Sequence, residues 1–378
     1  MHFEHLYIHI PFCRSKCYYC DFTSYALPGR EEALAGYSRL LHKEAALWRV
    51  TALFSPLKSI YIGGGTPSLL PPQDIAALME DLLAGQAGEI PEITIEANPE
   101  SVDENKLAVW LKAGLNRLSL GVQSFDDALL QAMGRPHSSA QATKALQSAK
   151  AAGFKNISID LIYGLPGQTL EGWHKDLKQA LDMPIEHISL YGLSLSEDSL
   201  WGRAAKAGQL TLPDDYASAD MLQAAMDTLP AAGFAQYEIS NFARAGFESR
   251  HNTAYWQREN YLGLGVAAAS CHQELRWFNE RDITAYTDSL AAGKLPQIEK
   301  ESLSIEEILG EALFLNLRLT KGLNLEDFAK RYGTPAERYY KKPLSRLQRQ
   351  GLVEIKDGYL KLTKRGILLG NEVFMQFV

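Results

Sequence analysis

A chain of 378 residues, 46% hydrophobic and 22% charged, is long enough to bury a sizeable core and too apolar for intrinsic disorder. Its net charge of −7 lacks the basic footprint of a general nucleic-acid binder, and four cysteines in this length exclude a disulfide scaffold. No apolar run approaches the roughly 18 residues of a membrane-spanning helix, and MHFEHLYIHI has no export-signal pattern. A globular, cytoplasmic protein without nucleic acid or a transmembrane segment is expected, with transient membrane contact left open.

Six short apolar or β-branched runs read as strands, at 6–10, 59–64, 92–97, 116–122, 156–162 and 187–193. Amphipathic patterns between them predict helices near 30–50, 72–85, 103–113, 138–153 and 170–182. Their apolar residues recur at helical spacing, as in Leu107, Trp110 and Leu111. Gly114 and Gly153 follow two of these patterns, where a left-handed C-cap is wanted. Six βα units in series imply parallel strands with right-handed crossovers and helices outside. Six is fewer than the eight strands of a closed barrel, so an open, partial (β/α)6 barrel is expected over residues 1–200.

From 201 to 302 the rhythm is lost, and an accessory region is expected. A helix near 214–232 ends at Gly233, YEISNFA reads as a strand, and RHNTAYWQRENYLGLG reads as a polar, aromatic loop. Residues 303–378 carry helical patterns at 304–318, 324–332 and 335–350. Two short strands then join through Lys356-Asp357-Gly358, a hairpin signal. Helices followed by a hairpin suggest a winged-helix-like domain, read here as a packing module because the chain is acidic.

Ligands of an α/β sheet bind beyond the carboxyl ends of its strands. The unusual residues of this chain fall there: PFCRSKCYYC after the first strand, GGGTPS after the second, EANPE after the third, GVQSF after the fourth and DLIYGLPGQT after the fifth. Cys13, Cys17 and Cys20 lie within eight residues of one another, which points to metal chemistry rather than a disulfide. A structural zinc site would need a fourth ligand from His9 or Asp21, and no second cysteine pair recurs downstream. An iron–sulfur cubane fits better, since three thiolates hold three irons and leave the fourth open.

The segment Gly63-Gly64-Gly65-Thr66-Pro67 is neither a P-loop nor GxGxxG, but its glycines let backbone N–H groups approach a ligand. Glu96 and Asp160 suit an amino group or ribose hydroxyls, and Gln123 and Arg135 suit polar or carboxylate groups. Singly, each reads as a local cap; together they line one mouth. No general acid–base pair stands out, and no catalytic residue is assigned.

CRSKCYYC, with Tyr19 before its last cysteine, resembles the CxxxCx(aromatic)C signature of radical S-adenosylmethionine (SAM) enzymes. YIHIPFCRSKCYYCDF, GGGTPSLL, IEANPE, GVQSF and DLIYGLPGQT are similar to the oxygen-independent coproporphyrinogen III dehydrogenase superfamily, over Tyr7 to about Gln168 and with further support toward the C-terminus. This resemblance implies a [4Fe–4S] cluster on Cys13, Cys17 and Cys20, with SAM chelated at the open iron. It further implies SAM contacts from Tyr7, Gly64, Gly65, Thr66, Glu96, Gln123, Arg135 and Asp160.

Two features resemble the heme-chaperone branch of that superfamily. Its decarboxylating members carry a further cysteine where Phe22 stands, and a long N-terminal extension where twelve residues precede Cys13. RHNTAYW at 250–256 resembles the chaperones' HNxxYW signature, which implies His251 as a heme-iron ligand flanked by aromatics. The implied function is a carrier that binds heme and passes it to respiratory or other heme proteins. The alternative is an oxygen-independent coproporphyrinogen III dehydrogenase or another radical SAM enzyme acting on a tetrapyrrole. Cys271 matches no cluster position and reads as a small buried hydrophobe.

Overall fold

The computed structural model describes residues 1–377 except 53, 55 and 87. Strands β1 (His5–Ile10), β2 (Ser59–Gly64), β3 (Glu92–Ala97), β4 (Arg117–Gln123), β5 (Asn156–Tyr163) and β6 (His187–Gly192) pair side by side in chain order, each pair parallel. They alternate with helices α1 (Glu31–Arg49), α2 (Pro72–Leu83), α3 (Glu104–Lys112), α4 (Ser139–Ala152) and α5 (Leu170–Leu181). Local chemistry sets the helix ends. The Ser138 hydroxyl accepts the Gln141 N–H at the start of α4, and Gly153 closes that helix at φ 115°.

The two faces of each strand do different work. In β1, Leu6, Ile8 and Ile10 are fully buried in the core that includes Leu41 and Ala45 of α1. His5, Tyr7 and His9 alternate with them and face the barrel lumen, where Ser59, Tyr61, Glu92, Glu96, Arg117 and Asp160 also stand. The fold therefore buries its apolar side under the helices and collects its polar chemistry inside.

The sheet continues past both edges. The two-residue strand β7 (Ala235–Gln236) and β8 (Asn241–Ala243) extend it beyond β6, with β8 antiparallel to β6. On the other side β9 (Tyr261–Leu264) runs parallel to β1, followed by antiparallel β10 (Ala269–His272), β11 (Leu275–Asn279) and β12 (Gln297–Ser302). The order is β12-β11-β10-β9-β1-β2-β3-β4-β5-β6-β8-β7, so among the described residues the barrel stays open.

This extension corrects two local expectations. YEISNFA pairs as a strand only over Asn241–Ala243, and the segment expected to be a loop contains the helix α6 (Arg250–Trp256) as well as β9. Seven residues are two turns, too short to show a helical period, and α6 is held by its Ser249 cap and by tertiary contacts. Trp277 of β11 stacks on Trp48 of α1 at 5.7 Å and meets Phe3 edge-on, which ties the extension to the first helix. Beside them the buried Glu44 carboxylate accepts from Gly265 N–H, Asn279 and Tyr286, and burial pushes its pKa up to about 7.

Beyond residue 303 a second core forms around Leu313, Phe328, Leu344, Leu347 and Leu360. It comprises α7 (Ile305–Leu317), the short strand β13 (Leu323–Asn324), α8 (Leu325–Tyr332), α9 (Ala336–Arg349) and the hairpin β14 (Val353–Lys356) and β15 (Tyr359–Leu362). Asp357 and Gly358 turn the hairpin at φ 52° and 80°. Arg331 donates to the Gln257 and Arg258 carbonyls at the end of α6, and Arg258 pairs with Glu311 at 2.8 Å, docking this unit beneath the barrel. No helix of the described residues is long and apolar enough to cross a membrane.

Candidate functional site

The carboxyl ends of the strands surround a cavity of about 360 Å³. Cys13 lies on a two-residue strand, Phe12–Cys13, that pairs parallel with Tyr25–Ala26, and the intervening loop carries Cys17 and Cys20. The loop is tied to the barrel at several points. Tyr18 N–H donates to the Met133 carbonyl, Trp201 N–H to the Tyr18 carbonyl, and His9 Nε2 bonds the Thr23 carbonyl at 2.9 Å.

Burial pushes the Cys20 thiol up to about 11 and raises that of Cys13 as well, so cluster iron would displace protons there. Among the described residues no three His, Cys, Asp or Glu side chains converge on a single metal-ion position. The three cysteines all line the cavity, which suits thiolate ligands of a multi-iron cluster rather than one closed zinc centre.

The glycine-rich turn forms the next wall. A Cβ on Gly65 would stand 2.6 Å from the Phe12 carbonyl and 3.0 Å from Cys13 Sγ, so only glycine lets this backbone lie against the cysteine loop. Gly64 adopts φ 115°, and its N–H donates to Glu96 Oε2 at 3.1 Å while Tyr61 donates to Oε1 at 2.6 Å. Burial still dominates and pushes Glu96 up to about 7. Burial also raises Asp160, against the opposing Ser189 hydroxyl and Arg117 guanidinium.

Gln123 ends β4 at a register shift and at φ 69°, a left-handed conformation that few side-chain-bearing residues adopt. It turns the strand end into the cavity. Arg135 reaches back across it to bond Cys17 Sγ at 3.4 Å, Asn98 Oδ1 at 2.8 Å and the Gly121 carbonyl at 2.6 Å.

The structure thus gathers Cys13, Cys17, Cys20, Gly64, Gly65, Thr66, Glu96, Gln123, Arg135 and Asp160 around one cavity. Tyr7 is not among the lining residues; its hydroxyl bonds His9 Nδ1 at 2.9 Å, and His9 Nε2 bonds the Thr23 carbonyl just past the cysteine loop. Asn98, Ser119 and Tyr191 also line the cavity. Asn98 sits in the EANPE segment already singled out, whereas Ser119 and Tyr191 had only strand alternation to mark them.

His251 is placed elsewhere. The register sets His5, Ser59 and Glu92 side by side at the amino ends of β1, β2 and β3, about 17 Å of strand from the mouth. The helix α6 packs against that floor. Glu92 accepts from the Ser249 hydroxyl and from the N–H groups of Arg250 and His251, a carboxylate on a helix N-terminus.

His251 is 1% exposed, with Nδ1 on Ser59 Oγ at 2.7 Å, Nε2 on the Tyr255 hydroxyl at 2.9 Å and Tyr61 stacked at 5.2 Å. Burial drives its pKa well below the usual histidine value. Both ring nitrogens are engaged within the protein, so in this conformation the expected heme ligand has no position open to iron. Cys271 is buried, as its sequence context suggested.

The radical SAM superfamily model matches residues 7–180, and the HemN C-terminal domain model matches residues 303–369. The fold is similar to coproporphyrinogen III oxidase (HemN) from Escherichia coli, with a TM-score of 0.84, covering 98% of this chain and 89% of that one. At 24% identity this likeness speaks for the fold alone. The heme chaperone HemW of Bacillus subtilis (strain 168) is 37% identical over 98% of both chains, and that of Lactococcus lactis is 36% identical over 98% of this chain and 96% of its own. Similarity that runs end to end through both the barrel and the C-terminal unit places this chain in the HemW family of radical SAM proteins.

Proposed function

We propose that this protein is a heme chaperone that carries a [4Fe–4S] cluster and SAM at the barrel mouth, binds heme and passes it to respiratory or other heme proteins. The end-to-end relationship to chains named heme chaperone HemW carries this reading. The donor set supports the cofactors, because three thiols and a glycine-rich turn share one cavity with the Glu96 and Asp160 carboxylates and the Arg135 guanidinium. All four cysteines are unpaired, which suits a reducing compartment, and the cytoplasm is the proposed location.

Cys13, Cys17 and Cys20 would hold the cluster. When bound, it supplies one open iron for the amino and carboxylate groups of SAM. The protein's own groups bind and orient the rest. Glu96, fixed by Tyr61 and Gly64, would accept from the amino group, and Asp160 from ribose hydroxyls. Gly64, Gly65 and Thr66 would form a turn without bulk, while Gln123 and Arg135, the latter bonded to Cys17 Sγ, would supply further polar contacts. His9 links Tyr7 to the Thr23 carbonyl just past the cysteine loop.

Phe22, 66% exposed beside the cavity, stands where the decarboxylating enzymes are expected to carry a further cysteine, which weighs against coproporphyrinogen dehydrogenation. The deciding experiment is an anaerobic heme titration of the cluster-loaded protein, followed by its Soret band. Saturable binding near one heme per chain is expected. Absence of saturable binding, together with substrate-dependent formation of deoxyadenosine from SAM and a porphyrinogen, would overturn the carrier in favour of the enzyme.

A further inference from the structure

The carboxamide of Asn98 stands between two groups that reach the cysteine sulfurs. Its Nδ2 donates to Thr66 Oγ1 at 3.2 Å, and its Oδ1 accepts from Arg135 Nη2 at 2.8 Å. Thr66 in turn donates to Cys13 Sγ at 3.6 Å, and Arg135 Nη1 donates to Cys17 Sγ at 3.4 Å. One amide therefore links the hydrogen bonds on two of the three thiols.

The proton directions follow from the chemistry of the groups. A guanidinium only donates, so the amide oxygen must face Arg135 and the amide N–H must face Thr66. With its oxygen accepting that N–H, the Thr66 hydroxyl is left to donate its own proton to sulfur. The bridge is also anchored. The Ser101 hydroxyl accepts from Asn98 N–H at 3.2 Å and donates to its carbonyl at 2.6 Å, and Lys106 Nζ clamps the Ser68 and Ser101 carbonyls. A Cβ on Gly121 would come within 3.1 Å of Asn98 Oδ1, so the strand opposite has no side chain to crowd the amide.

We infer that Asn98 is a positioning residue for the cluster, setting the hydrogen bonds to the Cys13 and Cys17 sulfurs and thereby its reduction potential. This rests on the cluster assignment proposed above. Hydrogen bonds to cluster thiolates stabilise the more negative, reduced state, so each raises the potential. Cys20 takes its backbone hydrogen bond from Phe22, independently of Asn98. Replacing Asn98 by Asp reverses the logic at Thr66, because a carboxylate accepts the hydroxyl proton and diverts it from Cys13.

The test is a reductive titration of the anaerobically reconstituted full-length protein without SAM, read by electron paramagnetic resonance, with iron content measured beside it. Asn98→Ala, Asn98→Asp and Thr66→Val should each lower the one-electron midpoint. The expected size is on the order of a tenfold change in the reduced-to-oxidised ratio at fixed potential, about 59 mV. Thr66→Ser keeps the hydroxyl and should titrate as wild type.

Asn98 variants with full iron and a wild-type midpoint would overturn the inference. If they fail to assemble a cluster, the Thr66 pair decides, and equal midpoints for the valine and serine variants would overturn it as well. A wild-type protein that retains no [4Fe–4S] signal would instead remove the cluster assignment, and the inference with it.

Discussion

At the floor of the barrel, His5, Ser59, His251 and Tyr255 form one hydrogen-bonded chain, with Glu92 closing the N-terminus of α6 beside it. At the mouth, cysteines, glycines, carboxylates and a guanidinium surround a cavity instead. There Glu96 is fixed by Tyr61 and Gly64 yet still lines the open space, and Arg135 and Thr66 aim their donors at sulfur. Both ends draw on the inward-facing row of the same strands. What separates His251 from Glu96 here is whether the remaining hydrogen-bonding capacity closes on the protein or opens on a cavity.

Serine in place of Cys13, Cys17 or Cys20 is the sharpest test of the mouth. Each variant should lose the cluster outright, read as iron and acid-labile sulfide at background, while circular dichroism stays that of the folded apoprotein. Retained iron at cluster ratio would break the assignment. At the floor the expected loss is in stability instead. Burial opposes the Arg117 charge, and Glu92 is the largest group sustaining it, so Glu92→Ala strands a buried guanidinium and uncaps α6. A loss of about 3 kcal/mol in denaturant unfolding is expected, with cluster content per folded molecule unchanged.

His251→Ala should cost about 2 kcal/mol by leaving Ser59 and Tyr255 short of a partner. Heme affinity of the folded protein should be unaffected. A selective loss of heme binding without loss of stability would show that the floor opens to ligand, erasing the contrast between the two ends.

The smallest effect is a pH dependence. In the cofactor-free protein Glu96 titrates near 7 in the fold against 4.5 for the free side chain. Between those values the unfolded chain releases a proton that the fold keeps, so this group's contribution to stability is full below about pH 4.5 and is lost as pH rises through about 7. Glu96→Gln should flatten that part of the stability profile, as measured by unfolding across this range. A slope identical to wild type would place the buried proton elsewhere.

Much of the mouth was legible beforehand because its signals are local. Cysteine spacing and a run of glycines each report a short-range constraint of the backbone or of a ligand. The floor was not legible in this way. HNxxYW pointed correctly to a family, but the role of His251 depends on Ser59, nearly two hundred residues earlier, and on Glu92 capping a two-turn helix. Tyr261–Leu264 is likewise four residues long and becomes a strand by pairing with β1. Such short segments carry too little periodicity to declare themselves and take their conformation from the surface that receives them.

The sequence by itself determined the open α/β barrel, the three-cysteine loop, the family and the set of strand-end residues, since alternation, helical period and motif spacing are properties of neighbours along the chain. Tertiary structure alone decided which polar residues face a cavity and which face each other. Strand register set His5, Ser59 and Glu92 in one row under α6, and it brought Asn98 between Thr66 and Arg135 beneath the cysteine sulfurs. Hydrogen bonds between side chains distant in sequence are fixed by register and packing, and no local pattern encodes them.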